Sequence, residues 1–513
     1  MKDKLIAVQI SGTPLVAIAS RDQFVAISVI QEVYNEFPVV QFDCASGFKA
    51  VNKSGQQVLG TIIGENDPAV FTDPVTCLTA LRDRAPEGTV AILIGADRYL
   101  GAERDKLDAR ANQAVANCRN DFKATGRKIF MLSPTRLVLP GDMQNDVFYI
   151  EEPSPDAETR GSIIGETYNS AKEASKALPT MKSTLLQECV AATRGLSAFA
   201  VEQAFSLSLT KQELNVKELW RQWRESINAT PGLTVDMSGS SLDKDVGGLE
   251  NFKNFSKSIM GGKNPPTAIV RVEEIEKVIS GAGTATGVGD SSGTTQEILQ
   301  LLLTFMQEEN ATGLIALGPA GSGKSLASVA MGSVSRIPTI NLDLTAVKGS
   351  LVGESGQKMR QALATIKALA GSRTFWIGTC NGVAALPPEL RRRFQYGIWF
   401  FDLPDATERE AIWQIWLKKY PDVKDVRPND EGWTGAEIRT AVQTADELRC
   451  TPAEAAKWIV PVSKMGAEVV ENLRRNASNR YLSAHKPGPY LYEYNSQPIP
   501  TARKFGASGA GLN

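Results

Sequence analysis

The eight residues Gly318-Pro319-Ala320-Gly321-Ser322-Gly323-Lys324-Ser325 constrain the path of the chain more tightly than any other stretch of its 513 residues. An apolar run, residues 313–317, leads into them, and a helix-forming run follows from Lys324. The segment therefore reads as a tight strand-to-helix turn, in which glycines supply positive φ and let other groups approach the backbone. Such a turn aims several backbone N–H groups and the positive end of the following helix at one point in space. The fitting occupant is a nucleotide's phosphate chain, with Lys324 reaching the β and γ oxygens and Ser325 holding Mg²⁺.

The acidic strand end that would complete this chemistry stands upstream of the loop. Ile269-Val270-Arg271-Val272 is a short apolar strand that runs into Glu273, Glu274, Ile275, Glu276 and Lys277. Between the helix predicted over 357–370 and the strand over 374–379 only Gly371, Ser372 and Arg373 remain, so the usual downstream slot is empty. With strands numbered in their usual chain order, the sheet of such a module reads 5-1-4-3-2. Moving strand 3 ahead of strand 1 leaves both altered crossovers running in their former direction. Right-handed connections then keep the two helices on their former faces and return the acidic strand end to the phosphate loop. In this reading Glu273 contacts the Mg²⁺ water, and Glu274 orients and polarises the attacking water. The alternative is that residues 273–277 are only the charged start of a helix.

The chain also repeats itself. Phe37-Pro38-Val39-Val40-Gln41-Phe42-Asp43 matches Ile337-Pro338-Thr339-Ile340-Asn341-Leu342-Asp343 in pattern, residues 128–133 mirror 374–379, and 147–150 mirror 398–401. Both last strands run through a proline-containing turn into helices predicted over 156–169 and 405–417. Gly195-Leu196-Ser197 and Gly432-Trp433-Thr434 each open a late helix with a Ser/Thr cap. Strands alternating with helices predict an α/β protein of two parallel-sheet modules, each with a small helical lid and with ligands at the carboxyl ends of its strands. In the first copy the loop position reads Ser20-Arg21-Asp22-Gln23, which cannot cradle a phosphate, and Asp97 is followed by Arg98 where a water-activating glutamate would stand. That copy is read as nucleotide-free, with a structural or partner-binding role. The boundaries are 1–155 for the first α/β module, 156–235 for its lid and a linker helix with Trp220 and Trp223, 236–403 for the second module and 404–477 for its lid. The polar run 228–244 reads as a separator, and the Pro-, Gly- and Tyr-rich segment 478–513 as a disordered tail.

Lys plus Arg (56) nearly balances Asp plus Glu (57), which gives a net charge of -1 and no overall field for nucleic acid or an anionic membrane. No apolar run is long enough to span a bilayer and residues 1–20 lack the layout of a secretory signal, so a cytoplasmic protein is predicted, with no membrane partner. Six widely spaced cysteines without a CxxC pair fit a reducing compartment. The single histidine, His485, falls in the predicted tail, so carboxylates and bound Mg²⁺ are expected to carry the chemistry.

Over nearly all of residues 1–475 the chain resembles the AAA branch of the AAA+ ATPases, specifically members with a degenerate AAA-like copy ahead of an active one. Such members occur in bacteria, plastids and bacteriophages. Beyond the phosphate loop, the resemblance is carried by Val246-Gly247-Gly248-Leu249-Glu250, Gly353-Glu354-Ser355, Thr379-Cys380-Asn381, Leu386-Pro387-Pro388-Glu389-Leu390-Arg391-Arg392-Arg393-Phe394 and Thr434-Gly435-Ala436-Glu437. It implies ATP with Mg²⁺, Asn381 as a polar sensor that helps align the water, and Gly435 and Ala436 near the adenine. It also implies a ring of like subunits, most often a hexamer, in which one of Arg391, Arg392 and Arg393 reaches a neighbour's γ-phosphate. The family's spacing between its two arginines is shortened here, which leaves open which of the three acts; Arg393, beside Phe394, is the first choice. Leu351-Val352-Gly353 lacks the aromatic that polypeptide-threading members carry, which leaves a looser remodelling or a conformational-switch role open, with an unknown protein as substrate or partner. The main expectation is a ring-forming ATP hydrolase, in the host cytoplasm if phage-encoded. The alternatives are a nucleotide-gated scaffold with negligible turnover, and a nucleic-acid loader that the charge balance argues against.

Overall fold

A computed structural model describes residues 1–64, 71–102, 109–174, 178–210, 213–236, 239–279, 293–335, 337–348, 354–370, 373–382 and 386–492. The segment Leu351-Val352-Gly353 and most of the Gly-rich stretch 281–293 lie outside the described residues. The fold is mixed α/β, with two sheets dominated by parallel pairing.

The first sheet comprises β1 (Leu15–Ala19), β2 (Val39–Asp43), β3 (Gly47–Ala50), β4 (Val90–Leu93), β5 (Lys128–Ser133) and β6 (Phe148–Glu151). The second comprises β7 (Leu233–Asp236), β8 (Ala268–Val272), β9 (Thr312–Leu317), β10 (Thr339–Leu342), β11 (Thr374–Cys380), β12 (Ile398–Phe400) and β13 (Leu482–Ser483). Their spatial orders are β3-β2-β4-β5-β1-β6 and β13-β12-β9-β11-β8-β10-β7. Central strands such as β5, β8 and β11 are buried along their whole length, as expected of parallel strands covered by helices on both faces. Each sheet also carries an antiparallel strand at the matching edge, β3 on β2 and β7 on β10.

Register brings three strand ends of the second sheet level with one another. Gly378 pairs with Val272, and Cys380 with Leu317. The residues following β8, β9 and β11 therefore emerge side by side at one carboxyl edge, where open α/β sheets bind ligands.

Two segments depart from the sequence reading. The supposed polar separator contains β7, whose Leu233 and Val235 are buried while Thr234 faces out, an alternation too short to stand out among polar neighbours. The supposed disordered tail is ordered through residue 492. Its β13 pairs in parallel with β12, and the ring of Tyr490 packs 4.5 Å from that of Phe400 between centroids. Tyr490, which looks solvated by composition, is here buried against a sheet edge remote in sequence. Residues 493–513 lie outside the described residues.

The helices Ala157–Ala174, Ser183–Ala191, Ala198–Ser208 and Val216–Asn228 do not form a separate core. Phe205 and Trp223 belong to one continuous apolar cluster with Val270, Ile315 and Trp376 on a face of the second sheet. Trp223 is 1% exposed, and its indole N–H donates to the Arg194 carbonyl at 2.8 Å. Burial of such side chains is worth about 1.5–3 kcal/mol each, so these helices are held to the second sheet by core packing as well as by the chain, while the first sheet keeps clusters of its own. The lid after β12 has its own small core, built from Ile412, Trp413, Trp433 and Ile438.

Candidate functional site

The loop Gly318 to Ser325 joins β9 to the helix Lys324–Met331. A Cβ on Gly318 would fall 2.1 Å from the Phe401 carbonyl oxygen, and Gly321, at φ 79°, faces Thr434 Oγ1 and the methyl of Ala436 so closely that a Cβ would meet them at 2.8 and 3.2 Å. The first glycine is thus required by the neighbouring strand and the second by the lid. Gly435 and Ala436 line one cleft together with Gly321 to Ser325, and that cleft holds ≈ 240 Å³ of water-accessible space.

Within the loop Lys324 is buried, and its ammonium donates to the Gly318 and Pro319 carbonyls, each at 2.7 Å. Burial pushes it down to about 8, against the opposing pull of nearby Cys380, Glu276 and Glu274. The hydroxyl of Ser322 is buried without a partner, whereas Ser325 is exposed. A turn with no room for a Cβ at Gly318 or Gly321, an orphaned hydroxyl and a cation held by carbonyls make a donor set that fits phosphate oxygens.

The acidic turn lies against this loop. Arg271, buried at 9% exposure in the middle of an apolar strand, donates to the Ser325 carbonyl at 3.2 Å and pairs with Glu273 at 3.3 Å. Glu274 has φ 47°, its N–H donates to Thr379 Oγ1 at 3.2 Å, and its carboxylate pairs with Lys277 at 2.6 Å. Glu276 accepts from the Asn381 N–H at 2.8 Å, while its other oxygen is buried without a partner. The side chain of Asn381 is exposed at the end of β11. Thus Glu273, Glu274, Asn381 and Lys324 gather at one edge.

The arginines lie elsewhere. Arg391, Arg392 and Arg393 end the helix Pro388–Arg393, outside this chain's own cleft. Arg391 and Arg392 are exposed, and half-buried Arg393 donates to Gln307 at 2.7 Å.

Sequence reasoning assigned no role to several residues that build the site. Glu276 was legible only as one more charge after the strand. Glu408 was legible only as the partner of Asp405 in a capping box, yet it also accepts from the Leu249 N–H at 3.0 Å. His485, assigned to a tail, lines the cleft. Just after β1, which holds the place in the first sheet that β9 holds in the second, Arg21 donates to Thr365 Oγ1 at 3.0 Å and to the Gly195 carbonyl at 3.3 Å.

Among the described residues no helix is long and apolar enough to cross a membrane. No family model matches the chain. Part of it is similar to the uncharacterized AAA domain-containing protein ycf46 of Guillardia theta, 26% identical over 222 residues, which covers 32% of this chain and 44% of that protein. The ycf46 proteins of Trieres chinensis (26% over 209 residues, 30% and 42%) and Pyropia yezoensis (29% over 218 residues, 32% and 44%) are similar to the same degree. The match spans less than half the length of each of these relatives. At this modest identity and partial coverage, the relatives' shared description supports an AAA-family ATPase.

Proposed function

We propose that this chain binds ATP with Mg²⁺ in the cleft between the Gly318–Ser325 loop and the lid, and hydrolyses it. The observation that carries the reading is the meeting of Lys324 and the acidic turn after β8 at one strand edge, tied by the Arg271 to Ser325 hydrogen bond. Loop N–H groups and Lys324 hold the phosphates, and Ser325 and Glu273 hold the metal. The bound ion supplies charge stabilisation for the transferring phosphoryl group. Glu274 accepts a proton from the attacking water, after its carboxylate leaves Lys277, and Asn381 keeps that water in line.

The family resemblance extends the proposal to a ring, most often of six copies, that couples turnover to remodelling of another macromolecule. In that ring one of Arg391, Arg392 and Arg393 reaches the neighbour's γ-phosphate, Arg393 being the first choice; doing so requires it to let go of Gln307. The first sheet is then a copy that has lost its phosphate loop, and the second a copy whose acidic strand has moved ahead of that loop in the chain while keeping its place in the sheet.

A nucleotide-gated scaffold with negligible turnover is the second reading. It is favoured by Glu273 and Glu274 each being engaged by a cation of its own segment. Multiple-turnover phosphate release separates the two. Under hydrolysis, wild type turns over and Glu274→Gln binds ATP but releases phosphate at least about 10²-fold more slowly. Equal rates would remove Glu274 from the mechanism, and no release by wild type would leave the scaffold.

A further inference from the structure

The acidic turn and the end of β11 hold each other through two hydrogen bonds that run in opposite directions. The Glu274 N–H donates to Thr379 Oγ1 at 3.2 Å, and the Asn381 N–H donates to Glu276 Oε1 at 2.8 Å. Each of the two residues assigned to the attacking water is thus held by its own backbone N–H, and in each case the acceptor is a side chain two positions from the other residue. Both bonds join residues 105 positions apart in the chain, so neither follows from local structure.

The acceptors are themselves fixed. Ile275, between Glu274 and Glu276, is fully buried, and its Cδ1 would lie 3.8 Å from a Cβ placed on Gly378 of β11. The Lys277 N–H closes the turn on the Glu274 carbonyl at 2.8 Å, with Glu274 at φ 47°, a conformation uncommon outside glycine. Glu276 is half-buried, and its second oxygen is enclosed by the protein. Thr379 is 3% exposed in the fully buried run of β11. Asn381 stands one residue beyond Cys380, the last of β11 to pair with β9, so the Glu276 bond takes the place of a ladder partner.

A base and a water-aligning amide act together only while their separation is held closely, and a misplacement of about 1 Å can cost about 10² in rate. Pairing of β8 with β11 ends at Gly378 with Val272, and the crossed bonds carry that alignment onward to Glu274 and Asn381. We infer that Glu276 and Thr379 are positioning residues, a crossed clamp that sets the separation of Glu274 from Asn381. The clamp deepens, and rests on, the reading of Glu274 and Asn381 as the pair that activates and aligns the attacking water.

The test is ATP-dependent phosphate release, with equilibrium binding of a fluorescent ATP analogue, by the full chain as wild type, Glu276→Gln, Glu276→Asp, Thr379→Ser, Thr379→Val and Asn381→Ala. Glu276→Gln keeps a carbonyl at the same reach and should hold kcat within about threefold. Glu276→Asp keeps the charge, falls a methylene short of the Asn381 N–H and should lower kcat about tenfold. Thr379→Val should lower kcat to a similar degree, and Thr379→Ser, which keeps the hydroxyl, should restore it. Analogue binding should stay within about twofold throughout, because the clamp aligns the water rather than the nucleotide. In an Asn381→Ala background Glu276→Asp should cost less than about twofold more, since it acts through Asn381. Full kcat in a folded Glu276→Asp protein, equal losses in the Asp and Gln variants, or losses that multiply in the double variant overturn the clamp and leave hydrolysis standing. Should Glu276→Asp fail to fold, the Thr379 pair decides: equal rates for Val and Ser overturn the clamp, and a loss with Val that Ser restores supports it. No phosphate release by wild type overturns the hydrolysis reading and the clamp with it.

Discussion

Lys324 provides a direct measure of how the cleft is built. Before nucleotide binds, its pKa is about 8 against an ordinary 10.5, so burial disfavours the ammonium form by about 3 kcal/mol. The folded value lies below the unfolded one, so the unfolded chain holds the extra proton between about pH 8 and 10.5. The nucleotide-free protein's stability from this group therefore rises with pH across that window. At the proposed ATP site affinity should move the other way, because phosphate oxygens favour the charged lysine. Binding should draw in about 0.1 proton per site at pH 7, about 0.5 at pH 8 and about 0.9 at pH 9, and the affinity should fall about tenfold from pH 7 to 9. Titration calorimetry in buffers of different ionisation enthalpy reads the uptake. Lys324→Arg, charged throughout, retains only the uptake that belongs to ATP and the rest of the chain. Equal uptake by the two proteins at pH 8, or a flat affinity from pH 7 to 9, would refute the argument that burial depresses this amine.

Gly318→Ala places a methyl 2.1 Å from the Phe401 carbonyl, whose strand cannot retreat without losing its pairing with β9, so a loss of about 2 kcal/mol or more is expected by thermal melting; an unchanged midpoint would show that the loop has room. Trp223→Ala removes a side chain from the cluster that the helices over 157–228 share with the second sheet, and should cost about 3–5 kcal/mol in the unfolding of that shared core. A calorimetric midpoint unchanged from wild type would mean that this cluster does not hold the helices to the sheet.

The glycine-rich strand-to-helix turn and the α/β class were legible because both rest on short-range geometry. Glycine spacing dictates a turn that no other residue allows, and uninterrupted apolar runs such as Ile269-Val270 and Phe375-Trp376-Ile377 can only be strands covered on both faces. Short alternations are weaker signals, which is why Leu233–Asp236 was missed among its polar neighbours. Arg271 shows the limit from the other side. One charge inside an apolar strand is a puzzle in sequence, and it resolves only when Ser325, 54 positions away, offers a carbonyl.

By itself the sequence determined which segments could be strands, where a phosphate could be cradled and which carboxylates stood close to a strand end, since each follows from the spacing of a few neighbouring residues. Tertiary structure alone decided that Glu276 would cap the Asn381 N–H, that the helices over 157–228 would share a core with the second sheet, and that Ser478 to Tyr492 would leave solvent to bring His485 against Glu408. These pairings depend on which remote apolar faces and unpaired strand edges meet, a sum over the whole chain that no local pattern contains.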